Sequence, residues 1–271
     1  MRKIGFALAG IALAGALIMF TRGVPATAAD DNQSACNGLP SHGALRTALE
    51  AARAQPNGGF NLDMWGTVVN RDGVVCAVAF TGDNRGDQWP GSRVISAQKA
   101  NTANAFSLPG LALSTGNLFA AVQPGGSLFG LQESNPVDTA SAYGGSGHNG
   151  GGASKYGTSH DPLKGNFVGG VNVFGGGLAL YDEEGTLLGG IGVSGDTSCA
   201  DHNIAWRVRK NLGLDHLQGV GGVSGDAARP DNIVYDLRSS GGASGSFSKS
   251  GWGHPECVNT GDPSALPAVQ P

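Results

Sequence analysis

The chain has 271 residues, 47 of them glycine, and its 17 basic and 21 acidic residues give a formal net charge of −4. Without the first 29 residues, which hold three basic and no acidic side chains, the balance is 14 − 21 = −7. This acidic balance argues against nucleic acid as a partner and against a purely electrostatic hold on anionic lipid. Because glycine offers little side-chain surface to bury, we expect long irregular loops around a modest core.

Residues 1–29 are typical of a secretory signal peptide. Two basic residues precede an apolar run over 4–20, and the small residues at 26–29 form an A-x-A cleavage site. An uncleaved anchor is the alternative, but 17 apolar residues are few for a membrane-spanning helix. We therefore expect cleavage after residue 28 or 29, no stable membrane anchor, and a periplasmic or secreted protein.

Residues 30–271 are predicted to form a single domain in which helices alternate with β-hairpins. In chain order we predict a helix capped by Ser41 and stopped at 56–59, a hairpin of 60–70 and 74–82, a helix over 93–107, brief helices within 111–122, a hairpin of 178–182 and 186–195, and a helix from Ser198 to Leu212. A glycine-rich insertion covers about 124–174, and a loop-rich tail covers about 215–271. Hairpins require antiparallel pairing, so the predicted fold class is α+β, a two-layer sandwich with helices packed on an antiparallel sheet of two hairpins.

The stretch 190–195 reads Gly-Ile-Gly-Val-Ser-Gly and matches the dinucleotide-binding fingerprint letter by letter. That fingerprint requires a parallel βαβ unit, whereas these glycines lie in the second arm of a predicted hairpin. We favour close packing of the strand against a helix, which glycine permits because it has no Cβ. The N-terminus of the following helix would still suit an anionic group of a ligand.

Four cysteines follow the signal peptide, and two of them lie in mirrored motifs, Cys199-x-x-His202 and His254-x-x-Cys257. One hypothesis is a Cys199–Cys257 disulfide, which leaves Cys36 to pair with Cys76 at the same end of the first helix and hairpin. The alternative is a zinc site formed by Cys199, His202, His254 and Cys257, which needs both thiols reduced. Export favours the disulfides, and a third possibility is that the motifs form neither structure.

The start of the last predicted helix leaves two side chains open to more than one interpretation. Asp201 could favour the positive helix end and complete a capping box with Ser198, or it could contribute to a pocket. His202 could be a surface residue beside the disulfide, or it could ligate a metal or haem.

Three segments together resemble the GlcG/HbpS-type haem-binding family, which includes the C-terminal domain of PduO-like proteins. Residues 67–78 are similar to its first hairpin, and 98–106 contain its K-A-x-T-A helix pattern. Residues 176–205 are similar to its final hairpin, its G-V-S-G turn and the Asp-x-x-Ile-Ala start of its last helix. Order and spacing agree over about 41–110 and 175–213, and the long insertion and the cysteine-bearing tail depart from the pattern.

The resemblance implies an α+β sandwich, a possible homo-oligomer, and a pocket for haem or another small ligand. The pocket residues it implies are Lys99, Thr102, Ser194, Gly195 and Asp201. Lys99 could neutralise a haem propionate, or it could be an ordinary surface lysine. The resemblance does not identify the iron ligand, for which His42, His148, His160, His202 and His254 are candidates. His202 and His254 are favoured because the proposed disulfide would bring them together.

Three functions follow from these observations. The first is an exported haem-binding protein that handles or senses haem or iron. The second is an enzyme or accessory factor that acts on a small anionic metabolite in the same pocket. The third is a structural module stapled by zinc or by disulfides. The sequence leaves open whether the protein catalyses any reaction.

Overall fold

The computed structural model of the protein describes residues 35–144, 152–239 and 246–271, so the predicted signal peptide and His148 lie outside the described residues. The helices and strands are α1 (His42–Arg53), β1 (Trp65–Asn70), β2 (Val75–Phe80), α2 (Ser92–Phe106), α3 (Leu131–Ser134), α4 (Thr139–Tyr143), β3 (Gly177–Tyr181), β4 (Leu187–Ser194), α5 (Ser198–Asn211), β5 (Leu237–Ser239) and β6 (Ser246–Ser248). Short 3₁₀ turns occupy Thr115–Leu118, Ala120–Val122, Ala153–Lys155 and Pro263–Ala265. No helix in the described ranges is long and apolar enough to cross a membrane.

The main sheet has four antiparallel strands in the order β2-β1-β4-β3. Each predicted hairpin forms, and β1 joins them by pairing with β2 on one side and β4 on the other. Val68, for example, lies between Ala77 and Ile191. The α+β class and the antiparallel sheet of two hairpins are therefore confirmed.

Helices cover both faces of this sheet, which adds a layer to the predicted sandwich. On one face, α1 and α5 bury residues such as Leu49 and Ile204 against Val68 and its neighbours. On the other face, α2 packs Val94, Ala97 and Ala100 against a cluster that includes Val69. Because Val68 and Val69 are consecutive, they point to opposite faces of the strand, and both are buried.

The glycines of β4 let its backbone touch the backbone of α2. A Cβ built on Gly192 would lie 1.9 Å from the carbonyl oxygen of Ser96, and one built on Gly190 would lie 2.4 Å from that of Ala100. Neither approach is open to a residue with a side chain. The glycine spacing of 190–195 thus has a packing explanation in an antiparallel sheet, as the sequence predicts.

Buried ion pairs fasten the insertion and the tail to this core. From α2, Arg93 contacts Asp161 of the insertion, with its Nε 3.0 Å from Oδ2, and both side chains are buried. From α5, Arg209 makes a two-pronged contact with Asp231 of the tail at 2.6 and 2.9 Å. The irregular segments are therefore joined to the helices by specific polar contacts as well as by apolar packing.

Both predicted disulfides are present. Cys36 is bonded to Cys76 with their Cα atoms 5.5 Å apart, which ties the segment before α1 to β2. Cys199 is bonded to Cys257 with their Cα atoms 6.0 Å apart, which ties the first turn of α5 to the tail.

The close contact between β4 and α2 can be tested with Gly192→Ala. We expect this change to lower the free energy of unfolding by about 2–4 kcal/mol, because α2 must move off the sheet to admit the methyl group. Gly110→Ala is the matched control, since a Cβ at Gly110 would meet no atom within 4 Å. Urea unfolding followed by circular dichroism measures both, and equal effects of the two changes would contradict the packing explanation.

Candidate functional site

A buried ion pair lies at the centre of the predicted site and joins α2 to α5. The Nζ of Lys99 is 2.7 Å from Oδ2 of Asp201 and also donates to the carbonyl oxygen of Val193 at 3.1 Å. The exposed fractions of the two side chains are only 2% and 3%. Lys99 is thus no surface lysine, and its charge is already matched by a carboxylate.

The carboxylate of Asp201 is held from both sides. Its second oxygen accepts the backbone N–H of Asp196 at 2.9 Å. Burial raises the pKa of Asp201 to about 6, while the nearby charge of Lys99 opposes that rise. The predicted capping box is wrong, because the N-cap of α5 is Thr197, whose side chain accepts from the backbone N–H of Ala200.

The other pocket residues implied by the resemblance are buried as well. The hydroxyl of Thr102 donates to the carbonyl oxygen of Gln98 and accepts the backbone N–H of Asn172, which attaches the end of the insertion to α2. Ser194 is 4% exposed at the end of β4. A Cβ on Gly195 would lie 2.2 Å from the carbonyl oxygen of Asp63, so this glycine is required for packing.

His202 is fully buried, which contradicts its interpretation as a surface residue. Its Nε2 lies 3.1 Å from Oδ1 of Asn232 and 3.2 Å from the backbone nitrogen of Ile233. Its Nδ1 has no hydrogen-bond partner within the described part of the chain. Burial lowers the pKa of His202 to about 4, so the imidazole is neutral near pH 7.

His254 comes from the tail and is also fully buried. Its Nδ1 donates to the carbonyl oxygen of Pro255 at 2.7 Å, and its Nε2 accepts the backbone N–H of Gly175 at 3.4 Å. Burial lowers the pKa of His254 to about 4, and the charge of Lys99 acts in the same direction. Gly175 lies between the two histidines, because its N–H donates to His254 and a Cβ built on it would lie 3.0 Å from the Cβ of His202. The two side chains therefore belong to one buried cluster.

The proposed zinc ligands do not come together as a set of four. One ligand atom each of Cys199, His254 and Cys257 lie within 4.8 Å of one another, without His202. Both sulfur atoms form a disulfide, whereas zinc requires thiolates. The disulfide hypothesis therefore describes this structure.

The remaining candidate histidines within the described residues lie elsewhere. His42 bonds through Nδ1 to the carbonyl oxygen of Val78 at 2.8 Å, and His160 is exposed beside Ser159. Neither shares a hydrogen-bond partner with His202 or His254.

The tail covers the cluster and is held there by the segment that contains Asn117. The amide of Asn232 faces His202, and its backbone oxygen accepts from the side chain of Asn117 at 2.9 Å. The backbone N–H of His254 donates to the carbonyl oxygen of Val234 at 2.7 Å, which joins the two parts of the tail. We call residues 232–234 and 253–254 the tail cover. The sequence carries no periodic signal for these contacts, so Asn117 and Asn232 could not be predicted from motifs.

The chain was compared with families and with solved structures. A family model described as haem degrading protein HbpS-like matches residues 42–209. The chain belongs to the HbpS-like family. Among solved structures, it is similar to the haem complex of PduOC, at 24% identity over 63% of this chain and 91% of that chain, with a TM-score of 0.41. It is also similar to protein ORFY of Klebsiella pneumoniae, at 23% identity over 64% and 90%, with a TM-score of 0.41. No curated protein matches.

The HbpS-like match confirms the resemblance. It covers some residues of the buried cluster and not the others. Lys99, Asp201 and His202 lie within the matched residues 42–209. His254 and the tail cover lie beyond them. The part of the chain that follows the family region thus supplies one of the two buried histidines and part of what encloses the other.

A separate cavity of about 580 Å³ lies beside the C-terminal end of α1. Its lining includes Arg53 and Arg207, and it is bounded by two turns, 57–59 and 259–261. None of the seven predicted ligand-binding residues lines it. The sequence analysis did not predict this cavity, because its walls come from turns about 200 residues apart.

The lowered pKa values of the buried histidines predict a loss of stability in acid. A histidine with a folded pKa of about 4 and an ordinary value of 6.5 stabilises the fold above pH 6.5, and this contribution is lost as the pH falls towards 4. Between pH 7 and pH 5 the native protein should therefore lose about 2 kcal/mol more unfolding free energy than His202→Gln.

Asp201, whose pKa is raised, contributes with the opposite sign, but it is present in both proteins and cancels in the comparison. The control is His160→Gln, which changes an exposed histidine. Urea unfolding at the two pH values measures the difference, and equal losses in the native protein and His202→Gln would overturn the assignment.

Proposed function

We propose that this HbpS-like protein is exported and binds haem, as a protein of haem or iron handling or sensing. Membership of a family described as haem degrading supports the haem ligand. Two disulfides are compatible with an oxidising compartment outside the cytoplasm. The composition of residues 1–29 supports the same location.

The observation that carries the proposal is the pair of neutral, buried imidazoles of His202 and His254. Neutral imidazole is the form of histidine that ligates iron. Within the described residues, the Nδ1 of His202 also has no hydrogen-bond partner. A buried polar atom without a partner is costly, and a ligand would satisfy it. When bound, haem would supply an iron centre capable of ligand binding and electron transfer.

The imidazole nitrogens are suitable ligands for haem iron, but the residues around them are packed against one another and shielded from solvent. Lys99, Thr102, Ser194, Asp201, His202 and His254 are each at most 4% exposed. A ligand of that size requires the tail cover to move away from His202. We therefore propose displacement of residues 232–234 and 253–254 as the step that admits haem. Lys99 would favour an anionic group only at the expense of its contact with Asp201.

The pairing of Lys99 with Asp201 argues against the second candidate function, which is action on a small anionic metabolite. A small anionic metabolite in this pocket would need a free cation, and Lys99 is already matched at 2.7 Å. The third candidate, a structural module, explains the disulfides and the hydrogen bonds of both imidazoles, but it leaves the Nδ1 of His202 without a partner among the described residues. Haem binding is the function that uses both.

Titration of the mature protein, residues 30–271, with ferric and ferrous haem tests the proposal. We expect a saturable shift of the Soret band at one haem per chain. His202→Ala and His254→Ala should each weaken binding at least about tenfold through the loss of an iron ligand. His160→Ala, at an exposed histidine, should leave the affinity unchanged. Light scattering with and without haem measures the oligomeric state.

A second arm of the experiment tests the cover. The double change Cys199→Ser with Cys257→Ser frees the tail beside His254, and we expect haem association to become faster. The absence of a spectral change in either redox state would overturn haem binding. Binding with unchanged affinity in both histidine variants would overturn the assignment of the ligands.

A further inference from the structure

The cavity beside α1 has the size of a small-molecule site. Its volume is about 580 Å³, within the usual range of roughly 300–1,000 Å³ for such sites. Two adjacent turns, 57–59 and 259–261, line it, and they meet where the backbone N–H of Gly59 donates to the carbonyl oxygen of Asn259 at 2.7 Å. A Cβ on Gly59, which has a φ of +67°, would lie 2.3 Å from Oδ1 of Asp196. Backbone therefore forms much of this wall.

Arg207 of α5 lines the cavity as a half-buried cation. Its Nη1 donates to Oδ1 of Asn57 at 2.8 Å and to the carbonyl oxygen of Asn203 at 3.3 Å. Among residues 35–144, 152–239 and 246–271 it has no carboxylate within 4 Å. Its Nε and Nη2 make no recorded hydrogen bond within those ranges. The contacts at Nη1 fix the guanidinium and leave its other donors for a ligand.

The other charged groups that line the cavity bind neighbouring groups of the protein. Arg53 donates to the carbonyl oxygens of Asn61 and Leu62 and lies 3.3 Å from Asp63. Asp196 accepts the backbone N–H groups of Phe60, Leu62 and Thr197. Asp262 accepts from the backbone N–H and the hydroxyl of Ser264. Of the two cations that line the cavity, Arg207 is the one that has no carboxylate within 4 Å in the described ranges.

We infer that the cavity binds a small organic acid whose carboxylate pairs with Arg207. A guanidinium presents its donors in a planar fork that matches the two oxygens of a carboxylate. Asn57 orients this fork, and the amide and backbone groups of the two turns provide hydrogen-bonding positions for the rest of the ligand. The site is separate from the His202–His254 cluster and does not depend on haem binding.

The C-terminal turn of this site lies outside the family match, like the tail cover. Asn259 and Gly261 lie two and four residues after Cys257. Asn203 of α5 donates to the carbonyl oxygens of Asn57 and Thr260 at 2.9 and 3.3 Å. The cavity therefore exists because the tail returns to the end of α1. We expect the acid to be a ligand of this chain's own architecture, which residues 42–209 alone would not enclose.

Isothermal titration of the mature protein with succinate, citrate and glutamate tests the inference, with succinamide as the uncharged comparison. We expect saturable binding of at least one acid and none of succinamide. Arg207→Gln should weaken binding at least about tenfold. Arg207→Lys should retain part of the affinity, because lysine keeps the charge but lacks the planar pair of guanidinium donors. Arg46→Gln is the matched control, because Arg46 lies on the exposed side of α1 and pairs with Glu50.

A second variant keeps the test decisive if Arg207→Gln does not fold. Ala265, an exposed residue at the rim of the cavity, is changed to tryptophan, which fills the space without altering a charge. Near-ultraviolet circular dichroism confirms folding of each variant. The inference is overturned if no acid shows saturable binding up to about 10 mM, because affinity weaker than that is negligible. It is also overturned if binding survives both changes. Haem titration of Arg207→Gln should match the native protein, so the two proposals fail separately.

Discussion

The contact between the backbones of β4 and α2 is the constraint on which the site depends. Gly190 and Gly192 allow the strand to lie against the helix at a distance that any Cβ would prevent. This approach places Lys99 of α2 where its Nζ reaches past the strand to the carbonyl oxygen of Val193 and to Asp201 at the start of α5. Beside the end of β4, a helix on one face of the sheet thus bonds to a helix on the other.

The Lys99–Asp201 pair fixes positions more than it adds stability. Removing two charges from water is costly, and the pair regains that cost only through close geometry and further hydrogen bonds. Here the amide of Asp196 and the carbonyl of Val193 supply those bonds. Loss of either partner would leave an unmatched buried charge, at a cost of about 3–5 kcal/mol. The pair therefore sets the start of α5, and with it the position of His202.

The features that could be predicted from the sequence are those that local residue patterns determine. Strand-forming runs and turn residues predicted both hairpins, and residue spacing and capping patterns predicted helices at α1, α2 and α5. The mirrored motifs predicted the Cys199–Cys257 disulfide, and the Cys36–Cys76 disulfide followed by elimination. The prediction placed the helix cap at Ser198 instead of Thr197, because neighbouring hydroxyl residues offer the same side-chain acceptor. It missed the burial of His202, since the covering Asn232 and its partner Asn117 are 115 residues apart in irregular chain. Contacts between segments without periodicity leave no trace in a single sequence.

The tail joins the two proposed sites through one short segment. Cys257 is bonded to Cys199, His254 lies three residues before it, and the cavity turn begins two residues after it. A displacement of the tail that uncovers His202 would also disturb the turn at 259–261 that closes the cavity. If both ligands bind as proposed, the acid would favour the closed tail and haem the open one. Linkage then requires each ligand to weaken the binding of the other by the same factor. The Cys199–Cys257 disulfide limits how far the tail can move between the two states.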